Sequence, residues 1–247
     1  MEKIRLQKFF TDNKIMSRRS AEKVIEAGNV KINGVIAKVG DKVDPENDIV
    51  EYNGKVIKYN SSAKTYIMLN KPLGYVTTMS DEKGRETVLS LVSDIKERIY
   101  PVGRLDMYSE GLLIMTNDGE LTNRLTHPKN HMDKTYSVII KGEITPDTIH
   151  MLNAPMEIDG YKLKPVKVRI VSVKNGNTNT LFTLSEGRNR QIRKMCEKCG
   201  LTIMRLTRIS IGKLKLGDLE RGKYRHLTKN EIDYLLGKTN TIWGVKC

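Results

Sequence analysis

Gly103-Arg104-Leu105-Asp106-Met107-Tyr108-Ser109-Glu110-Gly111-Leu112-Leu113-Ile114-Met115-Thr116-Asn117-Asp118-Gly119 is the run that decides how the chain folds. A short polar turn carrying Asp106 leads into an apolar stretch, which predicts a strand over 112–116. Asn117-Asp118-Gly119 then breaks the strand ahead of a helix expected over 120–126. A carboxylate in a turn just before a strand can meet a substrate while a rigid element holds it. Glu110 lies four residues on, so a carboxylate pair is open. A glycosidase, however, needs two carboxylates flanking a sugar bond, which spacing within one turn does not ensure. From composition alone, Asp106 reads as a turn cap and Glu110 as a solvent-facing charge.

Downstream, strands are expected over 135–140, 166–173, 180–184 and 203–206, with a turn at Asp159-Gly160. Helices are expected over 146–152, with Thr145 as cap and Pro146 at the first helical position, and over 189–198. Thr228 with Glu231 has the spacing of a capping box for a closing helix. Upstream, Tyr66-Ile67-Met68-Leu69 opens the strand-rich region, and Asn60-Ser61-Ser62-Ala63-Lys64 before it is polar, small and linker-like. Residues 1–60 read as a separate small module. Ile4, Leu6, Phe9 and Phe10 give a short amphipathic helix, Ser17 caps a second through Ala21, Val24 and Ile25, and Gly28 ends it. Val30-Lys31-Ile32 and Val35-Ile36 flank Asn33-Gly34, a tight-hairpin signal. Strands outnumber helices and mix with them irregularly, so the expected class is α+β. Its parts are a small α/β module over 1–60, a linker over 61–64, a larger domain with a mixed, mainly antiparallel sheet over 65–237, and a tail over 238–247.

The chain has 247 residues, 38% apolar and 29% charged, which excludes wholesale disorder. No apolar run reaches the roughly 18–20 residues of a membrane span, and the start lacks the pattern of a secretory signal. Three cysteines are too few for a disulfide framework, so a reducing, cytoplasmic setting is expected. Cys196 and Cys199 form a lone Cys-x-x-Cys without a second pair, and read as small buried residues rather than zinc ligands. His127 and His131 lack the glutamate of a metalloprotease helix, and Pro128 argues against that helix. There is no Walker A sequence, and Gly74, Gly84 and Gly103 read as turn glycines. Neither metal nor nucleotide cofactor is expected. Net charge is +14, and residues 185–226 hold 12 Lys and Arg against 4 Asp and Glu. Arg188, Arg190, Arg193, Lys194, Arg205 and Arg208 fall in this stretch, which suits a nucleic-acid groove whose affinity depends on salt. Charge alone does not separate DNA from RNA. In the first module Arg5, Arg18, Arg19, Lys23 and Lys31 offer a smaller basic face.

The run around Asp106 joins Leu69-Asn70-Lys71-Pro72-Leu73-Gly74 upstream and Glu186-Gly187-Arg188-Asn189-Arg190-Gln191-Ile192-Arg193-Lys194-Met195 downstream. This ordered set resembles the RsuA-like pseudouridine synthases that modify ribosomal RNA, and residues 1–60 resemble their N-terminal S4 RNA-binding domain. The resemblance covers nearly the whole chain. It implies cofactor-free and metal-free isomerisation of a uridine flipped out of folded RNA. It further implies that Asp106 is the catalytic carboxylate, Tyr136 packs on the target base, and Arg193 orients and balances Asp106. On a helix over 189–198, Asn189 and Arg193 would share a face, as would Arg190 and Lys194. Arg104, Arg18, Arg19, Lys23, Lys31, Arg188, Arg190 and Lys194 are the expected RNA contacts. Lys71 and Pro72 would support the floor of the site, and Leu184 could line it or serve the core. The expected partner is ribosomal RNA, more in the manner of the large-subunit branches, or a ribosome-assembly intermediate, met by a monomer away from membranes. The competing expectation is a noncatalytic RNA-binding or ribosome-associated protein.

Overall fold

The structure, a computed structural model, describes residues 2–60, 63–127, 129–130 and 132–239, and the chain divides into two compact units, Met1–Lys64 and Thr65–Cys247. Ser61 and Ser62 of the expected linker, Pro128, His131, and 240–247 with Cys247 lie outside the described residues.

In the first unit, local chemistry sets the elements. Helix Leu6–Asp12 is followed by helix Arg18–Glu26, whose N-cap Ser17 accepts the Ser20 N–H. Gly28, at φ +72°, ends the second helix. Asn33 and Gly34 both take positive φ and close the hairpin between Val30–Ile32 and Val35–Ile36. Such a turn matches the twist of its strands and needs residues that tolerate left-handed backbone. The sheet is antiparallel in the order Val35–Ile36, Val30–Ile32, Val50–Tyr52, Lys55–Ile57. Leu6, Phe9, Phe10, Ala21, Ile25, Val30 and Val50 pack beneath it as one apolar core. Ile4, expected in the first helix, instead pairs with Val43 in a two-residue ladder.

The second unit is built on one mixed sheet. Its order is Val166–Lys174, Asn177–Leu184, Lys134–Lys141, Ile203–Ile211, Glu110–Thr116, Tyr66–Lys71, Tyr224–His226. Each of these ladders is antiparallel except the central one, where Ile203–Ile211 runs parallel to Glu110–Thr116 through only two pairs, Thr207 with Glu110 and Arg208 with Gly111. The sheet therefore has two halves joined at a short seam. At that seam a side chain on Gly111 would overlap the Arg208 backbone, and Gly111 also sits at φ +103°, so only glycine lets the halves close.

Glu110–Thr116 is buried at every residue, because its half is covered on both faces. Leu112 and Ile114 join Leu121, Leu125 and Leu235 on one side, while Leu113 and Met115 join Leu69, Val88, Ile99 and Leu105 on the other. The other half is packed by helices Pro146–Asn153 and Gln191–Lys198 around Val138, Phe182, Ile192 and Leu206. Thr145 and Thr228 cap their helices, Thr228 in a full capping box with Glu231. Two expected boundaries are corrected. The strand predicted over 203–206 continues to Ile211, because its later residues pair across to Lys134–Lys141 and along the seam. The helix predicted over 189–198 starts at Gln191, because Arg190 sits at φ +52°. Asn189 is thus off the helix and shares no face with Arg193, whereas the Lys194 N–H still bonds to the Arg190 carbonyl.

Candidate active site

Asp106 stands at the edge of the seam on a turn that the rest of the unit holds by its backbone. Leu105 is buried in the core below, and its carbonyl accepts the Thr77 hydroxyl at 2.7 Å. The Asp106 carbonyl accepts the Ser109 N–H at 2.9 Å, and the Met107 carbonyl accepts the Gly74 N–H at 2.9 Å. Arg193 Nη2 donates to the Tyr108 carbonyl and reaches the Ser109 hydroxyl at 3.3 Å. Lys71 is wholly buried, and its Nζ donates to the carbonyls of Pro72 (3.0 Å), Asp106 (3.2 Å) and Ser109 (2.8 Å). All five carbonyls from Leu105 to Ser109 are therefore occupied, and the half-buried Asp106 side chain is delivered from a fixed loop. Burial pushes the Lys71 ammonium down to about 8, against the opposing pull of Asp106 and Glu110.

The seam opens into a cavity of about 320 Å³, within the size range of small-ligand sites. Asp106 and Ser109 line one wall. Opposite, the other half-sheet contributes Lys134, Tyr136, Leu184, Leu206 and Arg208. The register sets Tyr136 across from Arg208 and Lys134 across from Leu184, so these side chains share a face. Leu184 serves both the cavity wall and the core. Tyr136 packs against the cores of both halves while facing the cavity, so the choice between core aromatic and site residue resolves into both. Exposed Arg104, Arg188 and Arg190 form the rim. Burial first, and the neighbouring Arg208 second, hold Lys134 below the usual lysine range.

Several expected placements are revised. Arg193 is not ion-paired with Asp106 among the described residues; it grips the loop at Tyr108 and Ser109, near enough for Asp106 to raise its pKa against a net lowering by burial and Arg190. Arg193, on helix Gln191–Lys198, is not among the residues that line the cavity. Glu110 is not solvent-facing: it is 2% exposed and receives Arg205 and the Thr207 hydroxyl across the seam, and Arg221 from its own half. It is thus committed away from the cavity and does not pair with Asp106 there. Lys194, expected to meet phosphate, is ion-paired with Asp159 on the Asp159-Gly160 hairpin. Arg188 lies over the Tyr161 ring, 3.1 Å from its centroid. Arg18, Arg19, Lys23 and Lys31 are exposed in the first unit. Sequence reasoning missed Lys134 and Arg208 as cavity residues. By sequence Arg208 counts only in the basic stretch, and the signal for both is a charged residue breaking the apolar alternation of a strand. Cys196 is buried and its thiol is pushed up to about 12 by desolvation, as suits a core residue. Among the described residues no three His, Cys, Asp or Glu side chains gather as a metal site would require.

Residues 65–198 match the family model described as RNA pseudouridylate synthase, and residues 4–50 match that of the S4 domain. A protein of Aquifex aeolicus (strain VF5), named an uncharacterized RNA pseudouridine synthase, is 42% identical over 237 residues, which is 95% of this chain and 94% of the relative. Ribosomal large subunit pseudouridine synthase B of Bacillus subtilis (strain 168) is 38% identical over 94% of this chain and 95% of its own length. A solved structure described as that of pseudouridylate synthase is similar with a TM-score of 0.66 and 32% identity, covering 94% of this chain and 99% of the other.

Proposed function

Because the chain belongs to the RNA pseudouridylate synthase family, we propose that it converts a specific uridine of ribosomal RNA, in the large subunit, to pseudouridine with Asp106 as its catalytic carboxylate. The observation that carries this reading is the Asp106 loop itself. Its carbonyls are all held, and its one carboxylate stands at a cavity walled by Tyr136 and rimmed by arginines.

The reaction breaks the uridine N1–C1′ bond and rejoins the base through C5. The target must leave its stack to reach a recessed carboxylate. Tyr136 packs on the extruded base, and Arg104, Arg188 and Arg190 at the rim hold the phosphates on either side. Asp106 carries the chemistry, either as a nucleophile that bonds transiently to the base or the sugar and leaves, or by promoting a glycal route. Arg193 and Lys71 are positioning residues that fix the loop. Lys194 neutralises Asp159 and so ranks last among the basic residues of this region as an RNA contact. The S4 unit docks on structured RNA through Arg18, Arg19, Lys23 and Lys31. The enzyme acts as a cytoplasmic monomer on ribosomal RNA or an assembly intermediate.

The test is pseudouridine mapping of ribosomal RNA from cells lacking the protein, with either the wild-type or the Asp106→Asn form restored. One large-subunit pseudouridine is expected to vanish, to return with the wild type, and to stay absent with Asp106→Asn although the variant binds RNA as tightly. Turnover by Asp106→Asn would remove Asp106 from the catalytic role. A change confined to small-subunit or transfer RNA would overturn the substrate.

A further inference from the structure

Arg208 is 3% exposed at the floor of the cavity, yet only part of its guanidinium is used. Nε donates to the Leu112 carbonyl at 2.7 Å across the seam, while the buried Nη2 has no partner among the described residues. A buried donor left without an acceptor is costly, and the nearby Lys134 adds a second positive charge beside it. The cavity floor is thus built for an oxygen that carries or acquires negative charge.

We propose that Arg208 is a further catalytic residue, whose unpaired Nη2 donates to a carbonyl oxygen of the extruded uracil and stabilises the negative charge that the ring acquires as the N1–C1′ bond is opened. The proposal rests on the pseudouridine synthase reading and deepens it. Depth selects the base over the phosphate. A nucleotide enters base-first, its phosphates stay with the exposed arginines of the rim, and the base meets Leu206, Tyr136 and Arg208 below. The register setting Arg208 opposite Tyr136 places the donor beside the ring that packs on the base.

The chemistry requires such a donor by either route. If N1–C1′ breaks heterolytically, its electron pair leaves with N1 and spreads to O2 and O4. C1′ is then satisfied by a carboxylate oxygen or by loss of the 2′ proton, which returns later. If the carboxylate first adds at C6, the displaced pair moves to O4. In both routes C5 closes on C1′, the proton lost from C5 matches the one gained at N1, and the product is an isomer needing no co-reactant. A fixed donor aimed at developing charge acts mainly on the transition state.

The experiment compares full-length wild type, Arg208→Gln and Arg208→Lys on ribosomal RNA isolated from cells lacking the protein, measuring single-turnover rate, RNA affinity against salt, and thermal midpoint. The expected result is a rate at saturating RNA lowered about 100-fold or more in Arg208→Gln. Affinity and its salt slope should stay unchanged, and Arg208→Lys should recover part of the rate. An unchanged saturated rate with a salt slope lower by about 1 would make Arg208 a phosphate contact and overturn the proposal. So would a lower thermal midpoint with an unchanged rate, which would leave Arg208 a brace of the seam. If Arg208→Gln does not fold, Arg208→Lys decides: a wild-type saturated rate overturns the proposal, and a rate loss at constant affinity supports it. Failure of the wild type to modify this RNA at all would instead break the reading of the substrate.

Discussion

The two units use the same residue types in opposite ways. In the first, Arg18, Arg19, Lys23 and Lys31 stand exposed on a helix and a strand. In the second, Lys71 and Arg208 are buried and Arg193 is half-buried, and each donates to backbone carbonyls, Arg208 through Nε alone with its Nη2 left over. An exposed cation keeps its hydration and its rotamers, so it suits a phosphate whose position varies and loses strength as salt rises. A buried cation has surrendered its water and is held only by the acceptors it meets, so it fixes geometry and is screened little. The contrast separates binding from chemistry: changes at the exposed cations should move affinity, and changes at the buried cations of the second unit should move turnover.

Lys71→Met is the strongest way to break this comparison. The carbonyls of Pro72, Asp106 and Ser109 lose a common donor. The Asp106 carbonyl keeps the Ser109 N–H, so two acceptors are left unsatisfied, and at about 1–3 kcal/mol for each the stability loss should be roughly 2 kcal/mol or more. Misplacing a catalytic group by about 1 Å can cost about 100-fold in rate, so the surviving folded enzyme should be slowed at least that much at saturating RNA. Chemical denaturation and single-turnover assays read the two effects, and normal turnover in a stable variant would show that the loop does not need its clamp. The pH dependence sharpens the point. Lys71 titrates near 8 when folded and near its ordinary 10.5 when unfolded. Between those values the unfolded chain binds more protons, so this residue makes stability rise with pH across that window. Lys71→Met should lack that rise.

Arg193→Gln tests the same loop from the other side, with a smaller effect. It forfeits the bonds to Tyr108 and Ser109, while Lys71 and the turn's own hydrogen bonds remain. Turnover should fall about 10-fold, as expected for loss of a group that only orients the nucleophile's loop, with RNA affinity nearly unchanged. Equal losses in affinity and none in rate would return Arg193 to the surface cations.

What the sequence disclosed follows from the range of the forces involved. Ser17, Thr145 and the Thr228–Glu231 pair act on backbone within three residues, and Asn33-Gly34 sets its hairpin by its own dihedral angles, so all were legible. Asp106 was legible as a carboxylate at the mouth of an apolar strand. Its support was not, because Lys71 reaches the loop only after Tyr66–Lys71 pairs with Glu110–Thr116 in the register that sets Lys71 beside Gly111. Glu110 looked solvent-facing for the same reason: the Arg205 and Thr207 that bury it arrive from the parallel seam, about a hundred residues away in sequence. The late start of the helix at Gln191 depends on a left-handed Arg190, which no local pattern announces in a residue with a full side chain.

Lys31→Ala should give the smallest effect, and it tests the other side of the comparison. Lys31 is exposed on Val30–Ile32, with Glu51 opposite it on the neighbouring strand. That carboxylate offsets part of its field, so a single phosphate contact here should contribute only a few-fold to affinity. Each phosphate contact adds about 0.7–0.9 to the dependence of log affinity on log salt, so the variant's slope should be shallower by no more than about that amount. The saturated single-turnover rate should match wild type, because Lys31 belongs to the unit that holds none of the Asp106 loop. Combining Lys31→Ala with alanine at Arg18, Arg19 and Lys23 should deepen the salt effect stepwise and still leave the saturated rate alone. If Lys31→Ala slowed the saturated reaction at constant affinity, an exposed cation would be acting on chemistry, and the separation between the two kinds of positive charge would fail at its simplest point.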